Sequence, residues 1–246
     1  MVAHLYLSPH LDDAVFSCGG LMAMQDARGE PISVLTVFAG DPPDYRISPL
    51  AAELHARWGK AGPPIAMRRA EDRVACARLG ASVQHLNYAD AVYRADEAGR
   101  PLYANEQNLF GPPDSSEGPL LEQLESSMRE LDFLQATIYC PLGYAGHVDH
   151  RITRLVAERL AQPLYYYADF PYAARGRTVP PELGEPPGNW RMIPVGDEAI
   201  EAWVNAIVEY QTQLSTFWDD EDSLYQEVRD FHDAFGGLRI MHPNFV

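Results

Sequence analysis

The sequence predicts an α/β fold with a Rossmann-like, mostly parallel sheet that carries helices on both faces. Short apolar runs alternate with amphipathic segments of helical length along most of the chain, which is typical of successive β-α units. The run at residues 31–39 is almost continuously apolar, as expected of a strand buried on both faces. We also expect a C-terminal irregular flap, an outer strand and further helices.

The first half of the chain contains three expected strands and three expected helices. In chain order these are a strand at residues 2–7, a helix at 12–28, a strand at 31–39, helices at 49–58 and 66–79, and a strand at 83–86. Gly29 is a natural stop for the first helix. The pair Gly19-Gly20 costs that helix about 1 kcal/mol per glycine, so we infer a compensating close approach to the sheet.

The second half begins with a segment rich in Asp, Tyr, Asn, Gly and Pro at residues 88–118, and loops of that length are usually functional. The elements expected after it are a helix at 119–132, a strand at 136–140, a helix at 148–160, a strand at 163–168, a proline-rich flap at 174–189, an outer strand at 190–195 and a helix at 197–218. We expect a kink near Ser215, and the acidic turn at 219–222 is typical of a solvated helix start.

Composition and charge limit the functional classes. Hydrophobic residues make up 46% of the chain, which suits a single domain over residues 1–246. No run reaches the ~18 apolar residues of a membrane span, and the N-terminus lacks the basic start of a signal peptide. The net charge of −16 argues against nucleic acids and anionic membranes as partners. Three widely spaced cysteines predict no disulfide framework, so we expect a cytoplasmic protein.

Four loops are expected to meet at one edge of the sheet, where α/β proteins bind ligands. These loops are residues 8–13, 40–43, 141–150 and 169–172. Two of them contain histidine clusters. A single His-x-x-Asp or His-x-x-His is common by chance, but two such clusters after parallel strands indicate a functional site.

The first cluster and one histidine of the second have the residue types of a hydrolytic zinc site, which uses three protein ligands and leaves one position for water. We assign His10, Asp13 and His150 as metal ligands. Asp12 cannot easily point the same way as Asp13, so we interpret it as the general base. The cofactor expected is Zn²⁺, with Fe²⁺ as the alternative, because these ligands do not discriminate sharply between them.

The second cluster supplies two further catalytic candidates. His147 precedes His150 by one helical turn, so both can face the same side. A protonated His147 would stabilise the oxyanion of a tetrahedral intermediate. Asp149 would hold one imidazole in the required tautomer and raise its pKa. Asp41 and Asp90 each follow a strand and are candidates to line the site.

Residues 9–13 (Pro-His-Leu-Asp-Asp) with Cys-Gly-Gly at 18–20 closely resemble the opening motif of the PIG-L/LmbE-like zinc-dependent N-deacetylases, the N-acetylglucosaminyl-phosphatidylinositol de-N-acetylase superfamily. Residues 146–150 resemble its second histidine motif and residues 167–172 its late strand and loop. Further similarity lies at Arg68, Glu71, Ala75, Leu79-Gly80, Asp90, Tyr210 and Gln213, so the resemblance covers nearly the whole chain.

The resemblance implies the same zinc ligands, general base and oxyanion stabiliser. It also implies that Arg68 contacts the substrate or braces the site, whereas Arg68-Arg69 alone has the pattern of a solvated helix face. The residues that we assign to substrate binding are Arg68, Asp41, Asp90 and Asp169. Leu11 and Ala14 stand where many members have Pro and Glu, which indicates a divergent branch.

The function expected from these features is hydrolysis of the N-acetyl group of an N-acetylated amino sugar or glycoconjugate, a small-molecule substrate. A homo-oligomer is left open. One alternative is an amidase of the same fold that acts on a larger acyl amide, such as a thiol-sugar conjugate or a secondary-metabolite intermediate. Another is a non-catalytic binding homologue. A two-metal phosphoesterase would take more carboxylates than we count here.

Overall fold

A mixed sheet lies at the centre of the computed structural model, which describes residues 4–43, 47–58, 63–131, 136–186 and 188–243. Within these residues the strands are β1 His4–Ser8, β2 Ile32–Thr36, β3 Ala81–His85, β4 Thr137–Pro141, β5 Leu164–Tyr167, β6 Gly188–Ile193 and β7 Leu238–Pro243. Their order across the sheet is β3-β2-β1-β4-β5-β7-β6. The first five strands are parallel, and β7 is antiparallel to both of its neighbours. The expected mostly parallel α/β sheet is confirmed.

The register of the central strands determines where the loops meet. Strand β1 pairs with β2 through Leu7 and Leu35 and with β4 through Tyr6 and Tyr139, whose rings stack with centroids 4.3 Å apart. The chain order reverses between β1 and β4, which makes this the switch point at which open α/β sheets bind ligands. The loops that follow β1 and β4 therefore lie side by side.

Helices cover both faces of the sheet, as expected. Their bounds are α1 Asp13–Ala27, α2 Pro49–Arg57, α3 Pro64–Arg78, α4 Glu106–Leu109, α5 Gly118–Glu130, α6 Val148–Arg159, α7 Asp197–Ile207, α8 Gln211–Phe217 and α9 Glu221–Asp233. One core cluster contains Tyr6 and residues of α1, α3, α7 and α9, and the other contains Leu5, Leu7 and residues of α2, α5 and α6. Successive residues of β1 thus point into opposite cores.

Several expected boundaries shift in the structure. Strand β7 has no counterpart among the expected elements, because its short sequence follows two glycines and its pairing with β5 and β6 is non-local. The helix expected at 197–218 is two helices, α7 and α8, with the break before Gln211 and not near Ser215. Residues 2–3 of the first expected strand and residue 132 of the 119–132 helix lie outside the described residues.

The close approach inferred from Gly19 is present, but its main partner is another helix and not the sheet. A Cβ atom at Gly19 would lie 2.3 Å from a ring carbon of Trp203 on α7, and one at Gly20 would lie 3.2 Å from the same indole. Trp203 Nε1 donates to the carbonyl oxygens of Val15 and Phe16 at 2.9 and 3.0 Å. The glycines therefore allow α7 to pack directly on α1.

Within the described residues, no helix combines the length and the apolar character needed to cross a membrane.

Candidate active site

The turn after β1 presents His10, Asp12 and Asp13 at the start of α1. Ser8 Oγ donates to the carbonyl oxygen of His10 at 2.6 Å and accepts from the amide of Ala14 at 3.0 Å. The His10 amide donates to Asp13 Oδ2 at 2.8 Å. The Asp12 carboxylate instead accepts from Arg68 Nη2 at 3.3 Å, so the two aspartates point in different directions, as expected for neighbours in a turn.

The second histidine motif reaches the same place from the loop after β4. Gly146 has φ +73°, a conformation that favours glycine, and a Cβ there would lie 2.6 Å from Pro180. This turn leads the chain into α6, where His147 is the N-cap residue and its Nδ1 accepts from the Asp149 amide at 3.2 Å. His150 lies in the first turn of α6, so both imidazoles belong to one helix terminus.

His10, Asp13 and His150 converge on one point. Asp13 Oδ2 lies 3.1 Å from His10 Nδ1 and 3.3 Å from His150 Nε2. Donor atoms in a tetrahedral zinc site lie about 3.3–3.6 Å apart, because each bond is about 2.0–2.2 Å long. One ring nitrogen from each of His10, His147 and His150 also lies within 4.8 Å of the others. The donor types and their separations therefore fit a zinc or ferrous ion.

The imidazoles of His10 and His150 each have a second ring nitrogen, which does not face Asp13. In both residues this second nitrogen contacts a buried carboxylate. His10 Nε2 lies 3.0 Å from Asp149 Oδ2, and His150 Nδ1 lies 2.6 Å from Asp169 Oδ1. A carboxylate in this position fixes the tautomer of a metal-binding histidine. His10 Nδ1 and His150 Nε2 are thereby left as the two nitrogens that face Asp13.

Two of the sequence assignments change with this geometry. Asp169, assigned to substrate binding, is buried behind His150, where its Oδ2 accepts from the amides of Gly143 and Tyr144 at 2.8 and 3.0 Å. The structure does not bring Asp41 to the site, because its carboxylate pairs with Arg69 at 2.8 Å on an exposed surface. Neither residue is among those that line the site cavity.

Charges around the cluster determine the protonation of its members. Burial and the adjacent Asp13 raise the pKa of Asp12 to about 6, although Arg68 lies 3.3 Å away and opposes the shift. Burial opposes ionisation of Asp13, but His150 and His10 outweigh it and hold the Asp13 pKa well below its usual range. Burial disfavours the charged form of His150, yet Asp13 and Asp169 raise its pKa to about 10. The surrounding carboxylates thus strongly favour positive charge at the imidazoles of His10 and His150.

The environment of His147 differs from the expectation. Burial and the positive charge of His10 lower the pKa of His147 well below its usual value, and Asp149 only partly offsets them. The imidazole that the Asp149 side chain contacts is that of His10. A neutral His147 whose Nδ1 accepts a hydrogen bond carries its proton on Nε2, so it is still a hydrogen-bond donor.

A cavity of about 250 Å³ opens onto the cluster. Its polar floor includes His10, Asp12, Asp13 and His147, with Arg68 and Asp90 beside them. Asp90 Oδ2 lies 3.6 Å from His10 Nε2, and Arg68 packs over the Trp58 ring at 4.8 Å. The walls are largely apolar and comprise residues such as Leu50, Leu54, Trp58, Leu109, Phe110, Tyr172 and Phe217.

A second donor set shares His10. Asp90 and Asp149 each place a carboxylate oxygen near His10 Nε2, and these three residues could also hold a metal ion. Asp149 is already engaged there, because its Oδ2 accepts from the Ala91 amide at 2.9 Å and its Oδ1 pairs with Arg94 at 2.7 Å. An adjacent guanidinium makes this second set the poorer cation site.

No pattern in the sequence distinguishes Arg94 except its position in the long 88–118 segment. The aromatic wall residues Trp58 and Phe110 were likewise not singled out, since isolated aromatic residues more often belong to the core. Their proximity to the site depends on how α2 and α4 fold over the sheet edge.

Comparisons with known proteins agree with the geometry. A family model described as PIG-L, GlcNAc-PI de-N-acetylase, matches residues 5–161. A 2′-N-acetylparomamine deacetylase of Niallia circulans is 28% identical, with 89% of this chain and 83% of that protein covered. A protein of the same name from Streptomyces fradiae is 30% identical, with 88% and 74% covered. The zinc-inhibited form of a teicoplanin deacetylase superposes with a TM-score of 0.82 at 25% identity over the whole of both chains.

Proposed function

The chain belongs to the PIG-L family of GlcNAc-PI de-N-acetylases, and from this premise we propose that it is a metal-dependent hydrolase of N-acetylated amino sugars or their conjugates. The observation that carries the proposal is the convergence of His10 Nδ1, Asp13 Oδ2 and His150 Nε2 beside Asp12, at the base of an open cavity. Three ligands with a neighbouring free carboxylate are the requirements of amide hydrolysis at a single metal.

The charge balance of the site supports a bound cation. The carboxylates of Asp12, Asp13, Asp90, Asp149 and Asp169 outnumber the nearby guanidinium groups of Arg68 and Arg94. His10, Asp13 and His150 would hold the ion. Zinc, when bound, supplies Lewis acidity that polarises the amide carbonyl and makes water more acidic. Ferrous iron accepts the same donors.

Asp12 moves the proton in this proposal. Its carboxylate borders the cavity and is free of the ligand cluster, so it accepts a proton from the attacking water and delivers it to the departing amine nitrogen. Arg68 donates to Asp12 Oδ2 at 3.3 Å, which holds the carboxylate in one orientation. His147 Nε2–H donates a hydrogen bond to the oxygen that gains negative charge as the carbonyl is attacked.

The relatives indicate the substrate class. Their names describe deacetylases of 2′-N-acetylparomamine and of the teicoplanin pathway. We infer that this chain deacetylates an amino sugar within a comparable conjugate. The apolar wall formed by Leu50, Leu54, Leu109 and Phe110 also favours a second candidate, an amidase for a larger acyl group that would lie against that wall.

Replacing Asp12 tests the mechanism. Asp12→Asn should lower the turnover of acetate release by about 10²–10⁴-fold, because the amide cannot accept the proton, while stoichiometric zinc is retained. The matched variant Asp13→Asn should lose zinc. Full activity in Asp12→Asn would refute the base assignment.

A substrate panel separates the deacetylase from the amidase for larger acyl groups. Zinc-loaded wild type is assayed with 2′-N-acetylparomamine, simple acetamido sugars and longer N-acyl analogues. If none of these substrates is hydrolysed, both candidate functions are contradicted.

A further inference from the structure

Arg94 has a buried guanidinium that connects the long 88–118 segment to the metal cluster. Its Nε donates to Glu117 Oε1 at 2.7 Å, its Nη1 donates to the Ala89 carbonyl at 3.0 Å, and its Nη2 forms an ion pair with Asp149 Oδ1 at 2.7 Å. The group packs against two aromatic rings, with centroid distances of 5.0 Å to Phe38 and 5.3 Å to Tyr103. The ion pair, the two hydrogen bonds and the two rings hold the guanidinium in one orientation.

Asp149 connects Arg94 to the metal cluster, because its carboxylate contacts both Arg94 and His10. It is fully buried, and its Oδ2 accepts from His10 Nε2 at 3.0 Å and from the Ala91 amide at 2.9 Å. Both oxygens are therefore held by the short stretch at residues 91–94. The ring of Phe38 is near both His10 and Arg94, since its centroid is 6.4 Å from that of His10 and 5.0 Å from Arg94 Cζ.

We propose that Arg94 is a positioning residue for His10: through Asp149 it holds the imidazole with Nδ1 facing Asp13. Arg94 is not among the residues that line the site cavity, so it does not contact substrate there. The proposal rests on the proposed function, in which His10 is a metal ligand. In this proposal, residues 91–94 of the 88–118 segment orient one ligand of the metal site.

Two opposing effects follow from removal of the guanidinium. A positive charge leaves the neighbourhood of the cation, which by itself favours zinc. The repulsion between Arg94 and the cation acts across Asp149 and His10, which lie between them. The loss of the ion pair acts in direct contact, because it leaves the fully buried carboxylate of Asp149 without its counter-charge. A buried charge that loses its partner is strongly disfavoured, so we expect Asp149 to leave its position on His10 and zinc binding to weaken.

The zinc affinity of the 246-residue chain tests this proposal without reference to turnover. Metal-free protein is titrated with Zn²⁺ in competition with a chelator of known affinity. Arg94→Gln should weaken binding by about 10–100-fold, the usual effect of losing a group that orients a ligand. Arg94→Lys, which keeps the charge but not the fork, should lie between Arg94→Gln and wild type. The control Glu117→Gln keeps an acceptor for Arg94 Nε and should bind zinc nearly as wild type does.

A double variant distinguishes positioning from a general loss of structure. In the Asp149→Asn background, Arg94→Gln should cause little further loss of affinity, because the route through Asp149 is already broken. Wild-type affinity or tighter binding in Arg94→Gln, or an equal loss in Glu117→Gln, would overturn the proposal. If Arg94→Gln fails to fold, wild-type affinity in Arg94→Lys would overturn it. Wild type that binds zinc but releases no acetate would refute the proposed function alone, and wild type that binds no zinc would refute both.

Discussion

The neighbouring residues Asp12 and Asp13 occupy separate environments although one peptide bond joins them. Asp13 Oδ2 accepts from the His10 amide and faces two imidazoles, whereas Asp12 faces Arg68 and the cavity. The sequence could predict this division because it depends only on local geometry in a turn. It could not predict that Asp169 lies behind His150, since that depends on where the loop after β5 passes relative to α6.

Replacing Asp169 tests its role behind His150. In Asp169→Asn the amide cannot accept from His150 and from the Gly143 and Tyr144 amides at once, because one of its two ends is now a donor. We expect zinc affinity to fall by about 10–100-fold. The control is Asp233→Asn, which alters an exposed His–Asp pair with His232 at 2.7 Å far from the ligands in sequence. Equal zinc affinity in both variants would rule out the role.

Among the elements, α1 is the clearest case in which the sequence predicts a close contact but not its partner. The expected partner of its glycine pair is the sheet, and the observed partner is α7. The glycine pair indicated a close approach, and the structure has one, between α1 and Trp203 of α7. The partner was not predictable, because α7 is separated from α1 by most of the chain. The same limit applies to β7, whose pairing with β5 and β6 depends on the path of the C-terminal segment.

Adding a methyl group at Gly19 tests this packing. The new Cβ would lie 2.3 Å from Trp203, whose indole nitrogen is tied to two carbonyls of α1 and cannot move aside cheaply. We expect Gly19→Ala to lower the free energy of unfolding by about 1–3 kcal/mol, despite the better helix propensity of alanine. Gly118→Ala at the start of α5 meets no atom within 4 Å and should leave stability unchanged or slightly higher. Urea unfolding measures both, and equal stability of the two variants would contradict the packing argument.

At the scale of the whole molecule, the proposed metal site lies where the strand order of the sheet reverses. Strands β1 and β4 lie side by side, so residues 8–13 and 141–150 meet although they are far apart in sequence. Alternating apolar and amphipathic segments predicted this arrangement, because parallel β-α units allow few topologies. The 88–118 segment was less predictable, since its fold depends on buried contacts of single residues such as Arg94 with Glu117.

The position of a bound zinc ion would decide whether His10, Asp13 and His150 are the metal ligands. Crystals of the full chain equilibrated with Zn²⁺ would be measured at the zinc absorption edge, where anomalous scattering identifies the ion independently of the protein atoms. We expect one peak about 2.0–2.2 Å from His10 Nδ1, Asp13 Oδ2 and His150 Nε2. A peak on the other side of His10, between Nε2, Asp90 and Asp149, or the absence of any peak at this cluster, would rule out this ligand set.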